Sequence, residues 1–475
     1  MKVINTTGNT IHVEDIGLVI PFDGKQPFDV PTETLKQSKT LRNLIISQTI
    51  DVAEYNSDER IEASVMFLRG KSKPDEIDKV KEDESEPETT IQPAAELTIK
   101  YHGAFEDAGG YAKVNRNVVR ELHRRGAILR VEAKQSVSQL EPEEVSDILV
   151  LTGVKVRGYI QIDSVIPSLS EVKRTNAKYN ILYTTIEGYT IPEQFVECAR
   201  RYDEVWLTSQ WSADVLRRYL PKHKILSMPP GVNEKLYVPE GPRFDFRPNT
   251  KSFIFLSLFR WNYRKGWDAL LRAYFDEFDR EEDVSLLIAS RYQFGTTKEN
   301  KGKIKEDIDT IIAEFPNKDL PHMVRYSQVV PEGQLPQLYR AAHCFVLPSR
   351  GESICLPPME ASLCGLPVIA TNWSGQTEYL KMDNSYLVDI DHLVKVQRGQ
   401  MHMHYWDGHE FPSLKDPSFH NRLRKAMREV YTNYQEAIDR NSRLQQSIRS
   451  SFTWEKSVDR ILTRLNEIWA DLKKE

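Results

Sequence analysis

The sequence of 475 residues is poor in cysteine and has only Cys198, Cys344, Cys355 and Cys364. Their spacing matches no zinc-binding or disulfide pattern, so we interpret them as reduced thiols of a cytosol-like compartment. No apolar run reaches the length of a membrane-spanning helix, and the first residues lack the apolar core of a secretory signal. These absences predict a cytoplasmic protein without a membrane span.

A strong excess of charge of either sign is also missing. The formal net charge is -5, which gives no general attraction to nucleic acid or to an anionic membrane. The hydrophobic content of 40% is somewhat low for a purely globular chain, so we expect at least one solvated segment. The length is sufficient for two or three domains, each with its own core.

Residues 71–95 match this expectation, because they are rich in charge, contain proline and have almost no large apolar side chains. Such a stretch cannot bury enough apolar surface to offset the entropy lost on ordering, which predicts a flexible, disordered linker. The linker separates a small β-rich module, residues 1–70, in which we predict a helix over Thr34–Ser47 and strands at KVINTT, TIHVED, LVIPF and IDVAEY. The stretch PTETLKQSKTLRNLIISQTIDV of this module resembles small modules of phage-encoded proteins. A phage origin would place the protein in the host cytoplasm.

After the linker, apolar β-rich runs alternate with amphipathic helical patterns, which predicts parallel βαβ units. In a first set we predict strands at LTIKYHG, ILRVEA, DILVLTG, YNILYTT, DEVWLTS and KILSMPP. In a second set, we predict strands at FIFLSLF, VSLLIAS, MVRYSQVV, HCFVLPS, PVIATN and SYLVDI, followed by helices over 417–440 and 453–473. The expected fold class is therefore α/β, with two Rossmann-like domains facing a cleft, residues 96–245 and 246–450.

Two carboxylates, Glu352 and Glu360, are separated by seven residues after one of these strands. The double proline Pro357 and Pro358 lies between them and marks a helix start, because proline is tolerated in a first helical turn. A loop that enters a helix offers free backbone N–H groups and the positive end of the helix dipole to an anion. We therefore predict an active site for a phosphorylated ligand at this loop.

Two cations, Arg260 and Lys265, are predicted in the loop that follows the first strand of the second set. Cations at this place stabilise the negative charge that grows on a diphosphate leaving group. Arginine can bind phosphate bidentately, whereas lysine acts as a point charge. Solvated loop charges are the alternative for this pair alone, and the two carboxylates downstream disfavour it.

With these residues in place, the C-terminal half resembles the retaining glycosyltransferases of the GT-B fold, specifically family 4, the glycosyl transferases group 1. The E-x7-E element of that family matches Glu352 and Glu360, and is followed here by EASLCGLPVIAT. The cation pair of the family matches Arg260 and Lys265 in FRWNYRKGW. The element MPPGVNEKLYVP matches the family's interdomain segment, with Asn233 in place of the usual aspartate.

The resemblance extends over roughly residues 97–473. The final SFTWEKSVDRILTRL resembles the terminal helix that crosses back to the first domain in this family, which we assign to residues 451–475.

The resemblance also implies roles for individual residues. Glu360 would hold the ribose hydroxyls of a nucleotide, and Glu352 would bind the transferred sugar and stabilise positive charge at its anomeric carbon. Arg260 and Lys265 would hold the diphosphate. The resemblance also places the backbone after Glu352 against the sugar and phosphate, and the segment Ser327–Val330 beside the base. The donor-binding residues that it implies there are Ser353, Ile354, Cys355, Leu356 and Val330. The family usually has glycines where this chain has Ser353 and Cys355, which leaves the transferred sugar open.

The first domain contributes weaker candidates. Gly109 and Gly110 could let a loop approach the donor, although packing at a helix start explains them equally well. His102 is either an acceptor-side base or hydrogen-bond donor, or a loop histidine without a catalytic role. Glu187 either faces the acceptor or is structural. Trp406 is interpreted as a buried anchor rather than a sugar-stacking residue, and three histidines are interpreted as surface residues rather than metal ligands: His402, His404 and His409.

The implied function is retaining transfer of a sugar from a nucleoside diphosphate sugar to an acceptor hydroxyl, without a metal or any other cofactor. The expected partners are the nucleotide-sugar donor and an acceptor that is a glycan, a protein or a modified nucleic acid. The alternative is a non-catalytic protein that binds glycans or nucleotides on a GT-B scaffold; a different GT-B chemistry, such as phosphorolysis or epimerisation, is a minor alternative. The sequence does not define the donor sugar, its base, the acceptor, the role of residues 1–95 or the oligomeric state.

Overall fold

The structure is a computed structural model that describes residues 2–5, 11–13, 18–20, 28–29, 50–54, 91–107, 109–134, 144–167, 176–247, 249–292, 298–328, 330–401 and 404–474. The predicted helix over Thr34–Ser47, residues 71–90 of the predicted linker, and His402 lie outside the described residues. The chain divides into two compact units. The smaller unit comprises Met1–Thr90 and Thr98–Arg157, and the larger unit comprises Ile91–Leu97 and Gly158–Glu475. The domain boundaries expected from the sequence stay a prediction.

The N-terminal part of the smaller unit contains short antiparallel strands: β1 (Lys2–Asn5), β2 (Ile11–Val13), β3 (Leu18–Ile20), β4 (Phe28–Asp29) and β5 (Ile50–Glu54). Strand β1 pairs with β4 and β5, and β2 pairs with β3. The four strands predicted in this module are confirmed, and β4 is an additional one.

The second part of the smaller unit is a parallel βαβ element. It consists of β6 (Thr98–Gly103), α1 (Gly110–Arg124) and β7 (Ile128–Ala133). The predicted strand at DILVLTG is wrong, because this stretch forms the short helix α2 (Ser146–Leu149) and a 3-10 turn, Val150–Gly153. A short apolar run has no periodicity that separates a buried strand from a buried helix, which explains the error.

In the larger unit, four parallel strands follow one another in the spatial order β11-β10-β9-β8. The elements of this region are β8 (Ile160–Ser164), β9 (Tyr179–Thr184), α3 (Glu193–Ala199), β10 (Glu204–Leu207), α4 (Gln210–Arg217) and β11 (Ile225–Ser227). Strand β8 was not predicted, because polar Gln161 and Asp163 interrupt its apolar pattern. Both are buried, and Gln161 Nε2 donates to Asp163 Oδ1 at 2.7 Å.

A second sheet in the larger unit has six parallel strands in the order β14-β13-β12-β15-β16-β17. Its elements are β12 (Phe253–Trp261), α5 (Trp267–Glu277), β13 (Val284–Tyr292), α6 (Lys298–Ile312), β14 (His322–Tyr326), α7 (Leu335–Arg340), β15 (Cys344–Leu347), α8 (Leu356–Leu363), β16 (Val368–Thr371) and β17 (Tyr386–Val388). Every strand predicted for the second set is confirmed. The central strands read as nearly continuous apolar runs, as expected for a parallel sheet with both faces covered.

The chain then forms a hairpin of β18 (Leu393–Lys395) and β19 (Glu410–Pro412) and ends in three helices, α9 (Pro417–Thr432), α10 (Tyr434–Ser451) and α11 (Trp454–Leu472). The helix predicted over 417–440 is therefore two helices that meet at Asn433. Helix α11 packs beside β10, where Arg464 Nη2 lies 2.9 Å from Glu204 Oε2. Among the described helices, none is both long and apolar enough to cross a membrane.

Candidate active site

The site is built where the turn after β12 meets the loop after β15. The turn is a 3-10 turn, Tyr263–Lys265, and it ends at Gly266, whose φ is +70°. A Cβ atom on Gly266 would lie 1.8 Å from the carbonyl oxygen of Pro348, so only glycine fits here. The backbone N–H of Arg350 donates to the Arg264 carbonyl at 2.7 Å. The turn and the loop are therefore held together through their backbones.

A buried ion pair fastens the same loop to helix α5. Arg350 Nη1 and Nη2 each donate to one oxygen of Asp268, both at 2.8 Å. The guanidinium also lies over the Tyr263 ring, 3.6 Å from its centroid. Burial would raise the pKa of Asp268, but the charge of Arg350 outweighs it and lowers this pKa below its ordinary value. This pair fixes the start of the loop that carries Glu352.

Glu352 is the centre of the charge cluster. Lys265 Nζ lies 2.6 Å from Glu352 Oε1, and Arg264 Nη1 lies 3.0 Å from Oε2. The Ser349 hydroxyl donates to Oε1 at 2.7 Å, and the backbone N–H of Glu352 donates to Ser374 Oγ at 2.9 Å. Burial would raise the pKa of Glu352, but the two cations outweigh it and lower this pKa to about 2. Glu352 is therefore an ionised carboxylate held in one orientation at neutral pH.

Arg264 connects Glu352 to a second carboxylate, Glu187. Its Nη2 lies 3.1 Å from Glu187 Oε1, in the loop after β9. The pKa of Arg264 is raised, because the attraction of Glu187 and Glu352 exceeds the opposing effect of burial. These residues form a cluster of balanced charge with two carboxylates and two cations: Glu187, Glu352, Arg264 and Lys265. Each of the four side chains is at least three-quarters buried.

The structure corrects the expected position of Arg260. This residue lies within β12 rather than in the loop, at the penultimate position of the strand. The arginine next to Glu352 is Arg264, which was not predicted from the sequence. Its place directly before Lys265 was the available signal, since two adjacent cations can both reach a carboxylate across the turn.

The residues after Glu352 are buried at the entrance to α8. The Ser353 hydroxyl lies 2.9 Å from Ser212 Oγ of helix α4, and Ile354 and Leu356 are buried. Cys355 has a φ of +68° and is the residue before the helix. It therefore adopts the left-handed conformation for which glycine is usually required. Its carbonyl accepts a hydrogen bond from the Tyr379 hydroxyl at 2.6 Å.

Pro357 and Pro358 lie in the first turn of α8, as the sequence predicts. Glu360 is a later residue of the same helix and is 3% exposed. Its Oε2 accepts a hydrogen bond from the Tyr339 hydroxyl of α7 at 2.7 Å. Val330 lies four residues beyond the end of β14 and is half-buried.

Two predicted residues belong to the smaller unit. Gly110 is the first residue of α1, and a Cβ atom there would meet no atom within 4 Å. The loop position that we considered for His102 is wrong, because it lies in β6. The roles proposed for both residues stay predictions.

Trp406 is 3% exposed, so its interpretation as a buried anchor is confirmed. Within the residues that the structure describes, no group of three histidine, cysteine, aspartate or glutamate side chains is placed to hold a metal ion. The four cysteines are free and buried.

Chemically, the cluster offers a fixed carboxylate beside cationic groups at the C-terminal edge of a parallel sheet. This edge is where open α/β sheets bind their ligands. The cations can hold a phosphorylated leaving group, and the carboxylate can stabilise positive charge on a neighbouring carbon.

Comparison with known proteins identifies a family match and related folds. Residues 241–393 match the protein family described as glycosyl transferases group 1, so the predicted resemblance to this group is confirmed, whereas retention and family 4 stay predictions. The chain is 28% identical over 156 residues to D-inositol 3-phosphate glycosyltransferase 1 of Catenulispora acidiphila, which is 32% of this chain and 36% of that protein. It is 29% identical over 188 residues to mannosylfructose-phosphate synthase of Agrobacterium fabrum, which is 37% of this chain and 39% of that protein. The chain thus spans less than two-fifths of the length of these two relatives.

Solved structures show the fold over a larger share of the chain. Sucrose-phosphate synthase from Thermosynechococcus elongatus superimposes with a TM-score of 0.56 at 17% identity, covering 79% of this chain and 100% of that one. A glycosyltransferase from Rickettsia africae superimposes with a TM-score of 0.54 at 16% identity, covering 79% of this chain and 99% of that one. The predicted GT-B fold class is confirmed.

Proposed function

We propose that this chain, a group 1 glycosyltransferase by the match of its residues 241–393, moves a sugar from a nucleoside diphosphate sugar to an acceptor hydroxyl with retention of anomeric configuration. The observation that carries the proposal is the contact of Lys265 with Glu352, 2.6 Å, at the edge where β12 and β15 end. This contact joins a cation suited to the leaving diphosphate to a carboxylate suited to the anomeric centre.

Lys265 and Arg260 serve the leaving group in this proposal. As the bond between the sugar and the diphosphate lengthens, negative charge accumulates on the phosphate oxygen. A fixed cation at that oxygen acts more strongly in the transition state than in the ground state, and this difference is what lowers the barrier. The two cations supply the charge, so the proposed mechanism requires no metal ion and no further cofactor.

Glu352 serves the sugar. Its low pKa, about 2, keeps it ionised, so it can stabilise the positive charge that develops at the anomeric carbon. Ser349, Lys265 and Arg264 hold its two oxygens, and a carboxylate that is already oriented loses little free energy to reorganisation during the reaction.

The remaining assignments follow the same scheme. Glu360 binds the ribose hydroxyls, and Val330 with its neighbours lies beside the base. The acceptor hydroxyl attacks from the face that the diphosphate leaves, and transfers its proton to the departing phosphate oxygen. We place the reaction in the cytoplasm. The acceptor is a glycan, a protein or a modified nucleic acid.

The test is turnover of nucleoside diphosphate sugars by the full chain. UDP-glucose, UDP-N-acetylglucosamine and GDP-mannose are incubated with the wild type, and the released nucleoside diphosphate is quantified by chromatography. We expect Lys265→Ala and Glu352→Gln each to lower kcat by on the order of 10²–10³-fold. The matched control is Glu314→Gln, which neutralises a carboxylate whose side chain is 42% exposed and which pairs with Arg272 on helix α5.

Turnover by both site variants at the wild-type rate would contradict the site assignment. Binding of UDP or GDP by the wild type without any turnover of the three sugars would favour the non-catalytic alternative. The anomeric configuration of the sugar as it is released, read by NMR from its one-bond C1–H1 coupling constant before the free sugar mutarotates, tests retention.

A further inference from the structure

The hairpin β18–β19 with its connecting residues, 393–412, has no role in the function proposed above. The family match ends at residue 393, the first residue of the hairpin, so this match assigns no role to the element. Its two strands pair in the register Leu393↔Pro412 to Lys395↔Glu410.

The aromatic side chains of the hairpin pack in the hydrophobic core formed by strands β9 and β10 and helix α3. Trp406 is 3% exposed and Phe411 is fully buried. The Trp406 ring lies 5.6 Å from the Phe195 ring of helix α3 and 5.3 Å from the Phe411 ring, measured between centroids. These residues share one hydrophobic cluster with Ile186, which precedes Glu187. The hairpin is therefore anchored beside the loop that carries Glu187.

The hairpin also holds that loop, residues 185–190, through hydrogen bonds. The backbone N–H of Tyr189 donates to the Glu410 carbonyl at 3.1 Å, and the N–H of Glu410 donates to Thr190 Oγ1 at 2.9 Å. A Cβ atom on Gly188 would lie 2.8 Å from the Trp406 ring and 3.0 Å from the Phe411 ring. The loop therefore has no space to move toward the hairpin.

The opposite side of the loop faces the active site. A Cβ atom on Gly351 would lie 2.1 Å from the Glu187 carbonyl oxygen, so the backbone next to Glu352 packs directly on the loop. The Glu187 carboxylate lies 3.1 Å from Arg264 Nη2, while Arg264 Nη1 lies 3.0 Å from Glu352. The 185–190 loop is thus held between the hairpin on one side and the charge cluster on the other.

We propose that the β18–β19 hairpin is a positioning element of the active site, which fixes the 185–190 loop so that Glu187 holds Arg264 against Glu352. Arg264 suits this role because its planar guanidinium presents two separate N–H edges, one to each carboxylate. Glu187 and Trp406 are accordingly positioning residues. They act on Glu352 through Arg264, and the proposal rests on the function proposed above.

The first test is a double-mutant cycle of Trp406→Ala and Glu187→Gln, measured with whichever of UDP-glucose, UDP-N-acetylglucosamine and GDP-mannose the wild type turns over. A displacement of about 1 Å in an active site costs on the order of 10²-fold in rate. We expect each single variant to lower kcat by about that factor, with a change of less than about threefold in KM. The double variant should be no slower than Glu187→Gln, because both substitutions remove the same positioning.

The matched control is Tyr405→Ala. Tyr405 packs on the same core, with its ring 5.1 Å from that of Phe195 and 5.4 Å from that of Trp406, but the side-chain atoms nearest to a Cβ on Gly188 belong to Trp406 and Phe411. This variant should keep a kcat close to that of the wild type. The proposal would be overturned if the effects of Trp406→Ala and Glu187→Gln on kcat multiplied to about 10⁴-fold in the double variant. It would also be overturned if Tyr405→Ala lowered kcat as much as Trp406→Ala does.

The second test does not require turnover, so it separates failure of this proposal from failure of the proposed function. In hydrogen exchange followed by mass spectrometry, Trp406→Ala should speed exchange of the 185–190 peptide by about tenfold or more and also affect the peptide containing Gly351. Gly188→Ala, which pushes the loop off the hairpin without leaving a cavity, should do the same if Trp406→Ala fails to fold. Unchanged exchange of the 185–190 peptide in the folded variant, or equal acceleration in Tyr405→Ala, would refute the positioning role.

Discussion

Replacing Asp268 with asparagine removes the counter-charge of Arg350. We expect this change to lower the free energy of unfolding by about 3–5 kcal/mol, because that is the usual cost of leaving one partner of a buried ion pair without the other. The side chains of Asp268 and Arg350 are 4% and 2% exposed. Asparagine keeps the shape of the side chain but donates from its amide nitrogen, so one of the two hydrogen bonds becomes a donor–donor contact. The Tyr263 ring and carbonyl, which also contact the guanidinium, do not replace the lost charge.

The pH dependence has a definite sign. The pKa of Asp268 is lower in the folded protein than its ordinary value of 3.8, because the attraction of Arg350 outweighs burial. The ionised form therefore contributes stability above about pH 4, and that contribution is lost as the pH falls through the lower folded pKa. The difference in stability between the wild type and Asp268→Asn should accordingly shrink as the pH falls below about 4.

The assay is urea unfolding of the full chain followed by tryptophan fluorescence, with the free-energy difference taken from the shift in midpoint. Glu314→Gln is the control, because it removes one negative charge near α5 from a partly exposed pair with Arg272, which keeps its contact with Asp268 at 3.3 Å, and it should cost less than about 1 kcal/mol. Replacing both members of the buried pair, as Asp268→Leu with Arg350→Met, should recover most of the loss. A cost below about 1 kcal/mol for Asp268→Asn alone would refute the reasoning.

Three further predictions concern the loop and its helix. Lys265→Ala should make stability fall at a higher pH during acid titration. The pKa of Glu352 is about 2 in the wild type, below its ordinary 4.5, and it rises when one cation is lost. An unshifted acid transition, followed by circular dichroism, would contradict this. Tyr339→Phe removes the hydroxyl that donates a hydrogen bond to Glu360, and it should weaken UDP or GDP binding by about five- to tenfold in calorimetry. An unchanged Kd would show that this bond does not orient the carboxylate. Cys355→Gly should be more stable to urea than Cys355→Ala by about 1 kcal/mol or more, because only glycine adopts the left-handed backbone at this position without steric strain. An alanine variant of equal stability would show that no strain is stored there.

Much of the fold could be predicted because it depends on local patterns. The apolar runs of β12 and β13 have the length and composition of buried parallel strands, and each was predicted from its own residues. The double proline marked the start of α8 for a similarly local reason. Where local pattern and tertiary environment disagree, prediction failed. The run DILVLTG forms helical turns although its composition suits a strand.

Strand β8 shows the opposite failure. Its residues Gln161 and Asp163 are polar, so the run IQIDS does not read as a buried strand. In the folded chain, Asp163 accepts hydrogen bonds from Gln161 and from the hydroxyl of Tyr202, at 2.7 and 2.8 Å. A buried polar group is tolerated when its partners are present. Tyr202 is a distant residue in the chain, so the partner could not be read from the strand itself.

The amino-acid sequence by itself determined the α/β alternation, the position of Glu352 and Glu360 around a helix start, and the resemblance to group 1 glycosyltransferases, because each depends on residues close together in the chain. Only the tertiary structure decided that Arg264 rather than Arg260 lies against Glu352, and that Glu187 shares this arginine. Burial forces charges to pair, and the available partners come from strands and loops that the fold, not the local sequence, brings together.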